Sequence, residues 1–246
     1  MNIKLNCDMG EGFGNYSLGH DQKIMPYIQM ANLACGFHAS DPVTMHQSVK
    51  LCKEHNIEIG CHPSYPDLVG FGRREMQCSH EEIVSLVLYQ LGALSAICQS
   101  YEAHISYVKP HGALYNTMMR DEEVFKSIAK AIAKFDPSLK LMILSSKHNK
   151  HYAELAKKYG IKLLYEVFAD RAYSDEGLLV PRTQKGAVIH DKEEVQKRMR
   201  QLIKKGFFKS INGKKLKLQA DTLCVHGDTK SALKLIKSLH KLKHEI

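Results

Sequence analysis

Seven short apolar segments alternate with helical segments along the chain, and this alternation restricts the fold more than any other feature of the sequence. Strands are predicted near residues 3–6, 31–34, 57–60, 105–108, 141–144, 163–168 and 222–225. The segments between them have apolar residues at helical spacing. Strands that alternate with helices run parallel and are joined by helical crossovers. The chain is therefore predicted to have an α/β fold, either an open sheet or a closed barrel.

Local signals mark where several of the helices begin and end. Asp41 precedes Pro42, and Ser79 precedes Glu82 by three residues, so each pair is typical of a helix N-terminus. Gly160 is typical of a helix C-terminus. A further short helix is predicted over about residues 20–30.

Polar, titratable residues follow six of the seven predicted strands. A barrel draws its functional residues from the ends of most strands, whereas an open sheet gathers them at one switch point. This distribution favours a β/α barrel, which we expect to form a single domain over residues 1–246. The candidate catalytic residues at or near the strand ends are Asp8, His38, His62, Lys109, His111, Glu166, Asp170 and His226. Asp228 follows the last strand and is a candidate binding residue, although a helix N-cap also explains it.

The fourth predicted strand and the sixth carry the strongest of these signals. The segment ISYV runs directly into Lys109, Pro110 and His111, which places a cation and an imidazole at a strand end. Glu166 lies inside the apolar segment LLYEVF. A buried carboxylate needs a cationic partner or a protonated state. We therefore predict that Lys109 is the partner of Glu166.

These residue types indicate hydrolytic or amide chemistry on a small anion. Imidazoles transfer protons near neutral pH, and carboxylates position water. Lys109 and the arginines at positions 73, 74 and 182 can bind a carboxylate or a phosphate. Gly12 lies in a glycine-rich segment, residues 10–19, that permits close backbone approach to a ligand. The candidate substrate-binding or phosphate-binding residues are Gly12, Arg73, Arg74, Arg182 and Asp228.

A metal site is the alternative interpretation of the same strand ends. Asp8, His38 and His62 have the ligand types of a metal site with one oxygen and two nitrogens. No local spacing such as HExxH supports it, so no metal ligand is assigned and a divalent metal is left open as a cofactor.

Composition limits the partners and the compartment. The formal net charge is +9, and the basic excess lies after Lys185 on predicted helices, where solvated helix faces explain it. A face for an acidic partner is the alternative, and nucleic acid is not expected because aromatic residues are not interleaved with the basic ones. No apolar run approaches the ~18 residues of a membrane span. Seven cysteines without CxxC spacing predict reduced thiols in a cytoplasmic protein.

Six segments of the chain resemble the signature blocks of the LamB/YcsF family, the bacterial 5-oxoprolinase A subunits. Ser40 and Cys61 depart from the family pattern, which more often has glycine and alanine at these positions. The segments are LNCDMGEGFG (5–14), ANLACGFHASDP (31–42), HPSYPDLVGFGRR (62–74), VKPHGALYN (108–116), EVFADRAYSDEGLLVPR (166–182) and CVHGD (224–228).

The resemblance implies a distorted seven-stranded parallel β/α barrel of the glycoside hydrolase/deacetylase type. It also implies ATP-dependent opening of 5-oxo-L-proline, a small anionic lactam, to L-glutamate together with subunits B and C. ATP would be a cosubstrate, because phosphorylation of the lactam oxygen makes the carbonyl carbon electrophilic. Lys109 and an arginine would then hold the anion while Asp8, His111, Glu166 or Asp170 activates water and an imidazole protonates the nitrogen.

Two rival functions remain open from the sequence. One is a metal-dependent deacetylase or sugar hydrolase on the same barrel. The other is a non-catalytic subunit that only binds the substrate or its partners.

Overall fold

The structure is a computed structural model that describes residues 3–16, 18–181, 183–225 and 232–244. The barrel strands in these residues are β1 (Lys4–Met9), β2 (Met30–Ala34), β3 (Glu58–His62), β4 (Ile105–Val108), β5 (Lys140–Leu144), β6 (Lys162–Phe168) and β9 (Thr222–Cys224). The seven strands are parallel and form a closed barrel in the order β1-β2-β3-β4-β5-β6-β9. The predicted α/β barrel is therefore confirmed.

Helices connect the strands and cover the outside of the barrel. Asp41 accepts hydrogen bonds from the backbone N–H groups of Val43 and Thr44, and Ser79 and Glu82 form the predicted capping box. The helices are α1 (Asp21–Ile24), α2 (Pro42–Glu54), α3 (His80–Ser100), α4 (Gly112–Met118), α5 (Glu122–Phe135), α6 (Asn149–Lys157), α7 (Lys192–Lys205) and α8 (Ala232–His244).

The last strand closes the barrel between the first and the sixth. Thr222 of β9 pairs with Lys4 of β1 on one side and with Glu166 of β6 on the other. Because every barrel strand then has two neighbours, no strand edge is left open. The carboxyl ends of all seven strands consequently meet at one mouth.

Several predicted boundaries differ from the structure. The helix predicted over residues 20–30 is only α1 followed by a 3-10 turn over Met25–Tyr27, because Pro26 cannot continue the α-helical hydrogen bonding. β1 extends to Met9, so Asp8 lies within a strand rather than after it. Helix α4 begins directly after the His111 segment, and a small hairpin of β7 (Phe208–Lys209) and β8 (Lys215–Leu216) precedes β9. The sequence analysis did not predict these three elements.

A hydrogen-bonded polar group spans several strands inside the barrel. Asn6 Nδ2 donates to Thr222 Oγ1 at 2.8 Å, and Asn32 Nδ2 donates to Asn6 Oδ1 at 2.8 Å. The Tyr107 hydroxyl donates to Asn32 Oδ1, also at 2.8 Å. All four side chains are buried, so their mutual hydrogen bonds offset the cost of burial. Only glycine fits at position 60, because a Cβ there would lie 2.1 Å from the Tyr107 ring.

Helix α3 is an exception to the expectation that no segment is long and apolar enough to span a membrane. Within the described residues it has the length and apolar composition of a membrane span, with a mean hydropathy of 1.5 over 18 residues. In the structure it packs against α5 and the barrel, where Ile83, Val87, Leu91 and Leu94 are buried. Its apolar character is explained by this packing.

The long connection over residues 172–190 is held by hydrogen bonds in its described part. The Ala172 N–H donates to the Ala187 carbonyl at 2.9 Å, and the Val180 N–H donates to the Ala172 carbonyl at 3.0 Å. The buried Arg171 side chain donates to the Val180 carbonyl at 2.7 Å. This connection therefore folds back on itself before α7 begins.

Candidate active site

Lys109 lies at the centre of the polar residues at the barrel mouth. Its Nζ is 2.9 Å from Asp8 Oδ1 and 2.9 Å from Glu166 Oε1. The predicted ion pair of Lys109 with Glu166 is therefore present, and Asp8 is a second counter-ion. Burial alone would lower the pKa of Lys109, but the carboxylates of Asp8 and Glu166 raise this pKa well above its usual value. Lys109 is consequently a permanent buried cation.

Glu166 is fully buried and binds two groups. Its Oε2 accepts a hydrogen bond from the Tyr115 hydroxyl at 3.0 Å. Its Oε1 faces Lys109 as an ion pair without hydrogen-bond alignment. Burial, followed by the charge of Glu166, raises the pKa of Tyr115 well above its usual value, so Tyr115 remains a donor. Glu166 therefore acts on the site through Lys109.

Asp8 joins the lysine to the histidines and faces the pocket. Its Oδ1 accepts from Lys109 and from Asn32 Nδ2, the latter at 2.7 Å, and lies 3.5 Å from His62 Nε2. The Asp8 side chain is 14% exposed, whereas that of Glu166 is 0% exposed. Of the two carboxylates that bind Lys109, Asp8 is the one that can reach a ligand.

Three histidines from three different strand ends lie in contact with one another. The His38 and His111 rings stack with centroids 3.7 Å apart and planes 4° apart, and the His62 ring meets both edge-on. Burial, followed by the neighbouring imidazoles, lowers the pKa of His38 well below its usual value and that of His111 to about 3. Both rings are therefore neutral at physiological pH.

Glu11 is a member of this cluster that the sequence analysis missed. Its Oε1 lies 3.3 Å from His38 Nε2 and 3.7 Å from His111 Nδ1. One ligand atom from each of Glu11, His38, His62 and His111 lies within 4.8 Å of the others, so these four residues could hold a divalent metal. The set differs from the Asp8, His38 and His62 combination considered from sequence. A carboxylate between Gly10 and Gly12 at the end of β1 was the signal that could have identified Glu11.

A pocket of about 330 Å³ opens next to this cluster. Asp8 and Glu11 give it an acidic floor, and Arg73 adds a guanidinium that stacks over Phe71 at 5.2 Å. A small molecule with a negative end and a polar reacting group matches this arrangement. The lining residues are Asp8, Glu11, Leu18, Gly19, Asp21, Phe71 and Arg73.

The other predicted binding residues lie elsewhere or outside the described residues. Arg74 forms an ion pair with Asp67, donating from Nε at 2.9 Å. The Gly12 carbonyl accepts from the Ser40 N–H, and Gly12 lines a separate outer groove beside α1 and α2. Asp170 is buried, and its charge acts on Arg198 of α7. Arg182, His226 and Asp228 lie outside the described residues.

Comparison with known proteins decides the family. The LamB/YcsF family model matches residues 3–245. The chain belongs to the LamB/YcsF family. The expected family resemblance is thus confirmed over nearly the whole sequence.

Relatives and a solved structure in the LamB/YcsF family agree closely with this chain. A Vibrio campbellii protein, named as the A subunit of 5-oxoprolinase, is 47% identical over 97% of this chain and 94% of its own length. A protein of the same name from Pyrococcus abyssi is 48% identical over 100% of this chain and 95% of its own length. The crystal structure of a lactam utilization protein from Thermus thermophilus superposes with a TM-score of 0.93. It is 41% identical and is matched over 100% of this chain and 97% of that one.

Proposed function

We propose that this chain is the A subunit of an ATP-dependent 5-oxoprolinase. In this proposal it opens the lactam ring of 5-oxo-L-proline to L-glutamate in the cytoplasm, with subunits B and C as partners. The names of the relatives support the reaction. The observation that carries the proposal is the acidic pocket floor of Asp8 and Glu11 beside the buried Lys109, with Arg73 on the same pocket wall.

The pocket suggests how the substrate lies. The guanidinium of Arg73 suits the substrate carboxylate, because arginine binds carboxylates with two parallel hydrogen bonds. The lactam group would then face Asp8 and Glu11. Lys109 is only 4% exposed and does not line the pocket, so it acts through its ion pair with Asp8 rather than by binding the substrate.

Asp8 is the group best placed to move the proton. Once the lactam oxygen has been phosphorylated, water can attack the carbonyl carbon, and the Asp8 carboxylate accepts the proton that the water loses. The C–N bond then breaks, and Asp8 returns the proton to the departing nitrogen. The acyl phosphate that remains is hydrolysed by a second water, which gives the new carboxylate of glutamate and free phosphate. Positioned proton transfer of this kind contributes roughly 10²–10⁴-fold to rate.

ATP coupling is assigned in this proposal to the assembled enzyme. The sequence carries no recognisable phosphate-binding loop, although backbone N–H groups in residues 10–19 could contact a phosphate. We expect the purified chain alone to form negligible glutamate from 5-oxoproline and ATP. Activity should appear when subunits B and C are added.

The test is a glutamate assay on the purified chain with and without its partners, using Asp8→Asn as the inactive comparison. Asp8→Asn in the assembled complex should lose at least ~100-fold in turnover. Substantial ATP-dependent glutamate formation by the chain alone would contradict the division of labour. Full turnover by an assembled Asp8→Asn complex would contradict the assigned role of Asp8.

The histidine cluster favours one second candidate, a metal-dependent amide hydrolase that needs no ATP. Glu11, His38, His62 and His111 have the donor types of such an enzyme. The same assay distinguishes the two candidates, because the second one predicts release of product when ATP is omitted.

A further inference from the structure

The hydrogen bonds around the three site histidines fix which ring nitrogen carries the proton. His62 Nδ1 lies 2.6 Å from the Lys109 carbonyl, and His111 Nε2 lies 2.9 Å from the Phe71 carbonyl. A carbonyl oxygen only accepts, so both of these nitrogens must donate. His38 Nδ1 lies 3.1 Å from the hydroxyl of Ser64, which gives its own proton to the Tyr65 carbonyl. His38 Nδ1 is therefore also a donor.

In the neutral form of each ring the opposite nitrogen is the one that carries the lone pair, and these nitrogens lie close to one another and to Glu11. His62 Nε2 and His111 Nδ1 are 3.0 Å apart. His38 Nε2 is 3.3 Å from Glu11 Oε1, which is 3.7 Å from His111 Nδ1. Neutral rings thus bring three nitrogen lone pairs and a carboxylate oxygen to one place. Such an arrangement is repulsive unless a positive charge lies among the four atoms.

Protons would supply that charge less well than one cation. A proton between His62 and His111 leaves the contact of His38 with Glu11 without one, so a second proton would be needed on His38 or on Glu11. On His38 it would charge a ring that stacks at 3.7 Å on His111, and on Glu11 it would neutralise the carboxylate. A single ion at the centre satisfies all four atoms at once.

We infer that Glu11, His38, His62 and His111 bind one divalent transition-metal ion of the zinc class. Imidazole and carboxylate ligands suit zinc and its first-row neighbours. Ligand atoms at ~2.0–2.1 Å from such an ion are ~3.3 Å apart in a tetrahedron. Three of the separations in the cluster are 3.0, 3.3 and 3.7 Å, and all four ligand atoms lie within 4.8 Å of one another. The backbone carbonyls behind His62 and His111 are the outer hydrogen-bond partners that metal-binding histidines usually have.

The proposed metal site lies against the substrate pocket, since Glu11 lines both. The role of the ion in this pocket rests on the proposed function, whereas the metal site itself does not. Bound at this place, the ion would supply a Lewis acid for an oxygen of the lactam or of its phosphorylated form. The ligand class expected in the pocket is therefore a small anion with a metal-binding oxygen.

The test measures metal binding by the full chain without any substrate. Protein treated with a chelator is titrated with Zn²⁺ alone by calorimetry, and the metal content of untreated protein is measured by mass spectrometry. We expect one ion per chain. Glu11→Gln and His111→Gln should weaken Zn²⁺ binding by more than the ~10–100-fold that loss of an outer partner costs.

Two control variants make the result specific. His151→Gln removes a histidine whose side chain is 48% exposed and that pairs with Glu122, so Zn²⁺ affinity should not change. Arg73→Gln should lose substrate turnover but keep Zn²⁺ affinity, because Arg73 is outside the four-ligand set. If His111→Gln does not fold, Glu11→Gln and the visible spectrum of the Co²⁺-loaded wild-type protein replace it.

Failure of the metal site can be separated from failure of the proposed function. Absence of stoichiometric binding of Zn²⁺, Co²⁺ or Mn²⁺, with nitrogen NMR showing a proton between His62 and His111, would overturn the inference. Full glutamate formation by a metal-free complex would overturn the catalytic role of the ion. Tight Zn²⁺ binding without any 5-oxoproline turnover would support the site and contradict the function.

Discussion

At the scale of single residues, the shared cation Lys109 dominates the energetics of the site. Its Nζ is 2.9 Å from a carboxylate oxygen of Asp8 and 2.9 Å from one of Glu166. Lys109→Met would leave two negative groups close together without their cation. Loss of one partner of a buried ion pair costs ~3–5 kcal/mol, so urea unfolding should detect a large loss of stability. Wild-type unfolding free energy in Lys109→Met would contradict this account.

Glu166→Gln should affect activity more than stability. Asp8 remains as a counter-ion for Lys109, so the destabilisation should be smaller than that of Lys109→Met. Turnover of the assembled complex should nevertheless fall, because the charge on Lys109 would then act on Asp8 alone and shift the pH profile of the reaction. Tyr115→Phe is the matched control, since it removes only the 3.0 Å hydrogen bond to Glu166. Wild-type turnover and an unchanged pH profile in Glu166→Gln would rule out a functional role.

The ion pair of Asp67 with Arg74 predicts a pH dependence of stability. The Arg74 hydrogen bonds lower the pKa of Asp67 to about 2, below the ordinary ~3.9. As the pH falls, the Asp67 carboxyl therefore takes up a proton in the unfolded chain before it does so in the folded chain. The stabilisation from its ion pair is complete above about pH 4 and is lost as the pH falls towards 2.

Urea unfolding of Asp67→Asn across pH 2–7 checks this prediction. The variant should be less stable than wild type at pH 7, and the difference should shrink as the pH approaches 2. Glu75→Gln is the control, because both side chains of the ion pair between Glu75 and Arg120 are exposed. Exposed ion pairs contribute little to the free energy of unfolding. A stability difference for Asp67→Asn that does not change with pH would contradict the prediction.

At the scale of elements, the start of α4 places His111 in the site. Gly112 has a φ of +55°, and a Cβ there would lie 2.4 Å from the Gly72 carbonyl oxygen. Gly112→Ala would combine left-handed backbone strain, ~1–2 kcal/mol, with a clash against backbone. We expect lower stability, measured by urea unfolding, and weaker Zn²⁺ binding through displacement of His111.

Gly92→Ala in α3 is the matched control for that prediction. A Cβ at position 92 meets nothing within 4 Å, and the residue is exposed inside a helix. Alanine there should leave stability unchanged or raise it by up to ~1 kcal/mol. Equal effects of the two alanine substitutions would contradict the assigned role of Gly112.

At the scale of the whole molecule, closure of the barrel by β9 predicts cooperative unfolding. Each barrel strand is hydrogen-bonded to two neighbouring strands, and β9 joins β1 to β6. A single domain over residues 1–246 should therefore unfold with coincident urea transitions in circular dichroism and in tyrosine fluorescence, which is usable because the chain has 11 tyrosines and no tryptophan. Two separated transitions would contradict the one-domain prediction.

The sequence by itself determined the alternation of strands and helices, the polar strand ends and the need of Glu166 for a cation. These features are local, because periodicity, capping residues and a charge inside an apolar segment can be read within a few residues. Asn6 and Asn32, polar residues in two other strands, carried the same signal as Glu166 and could have been identified.

Only the tertiary structure decided which polar ends share a site. Lys109 has Asp8 as well as Glu166, Glu11 joins the three histidines, and Arg74 is paired with Asp67 rather than directed at the pocket. The sequence positions of these residues do not encode such pairings, since barrel closure brings strands far apart in sequence to one mouth. The tautomers of His38, His62 and His111 likewise depend on carbonyl and hydroxyl groups from other loops, and these groups leave the three opposite nitrogens close together.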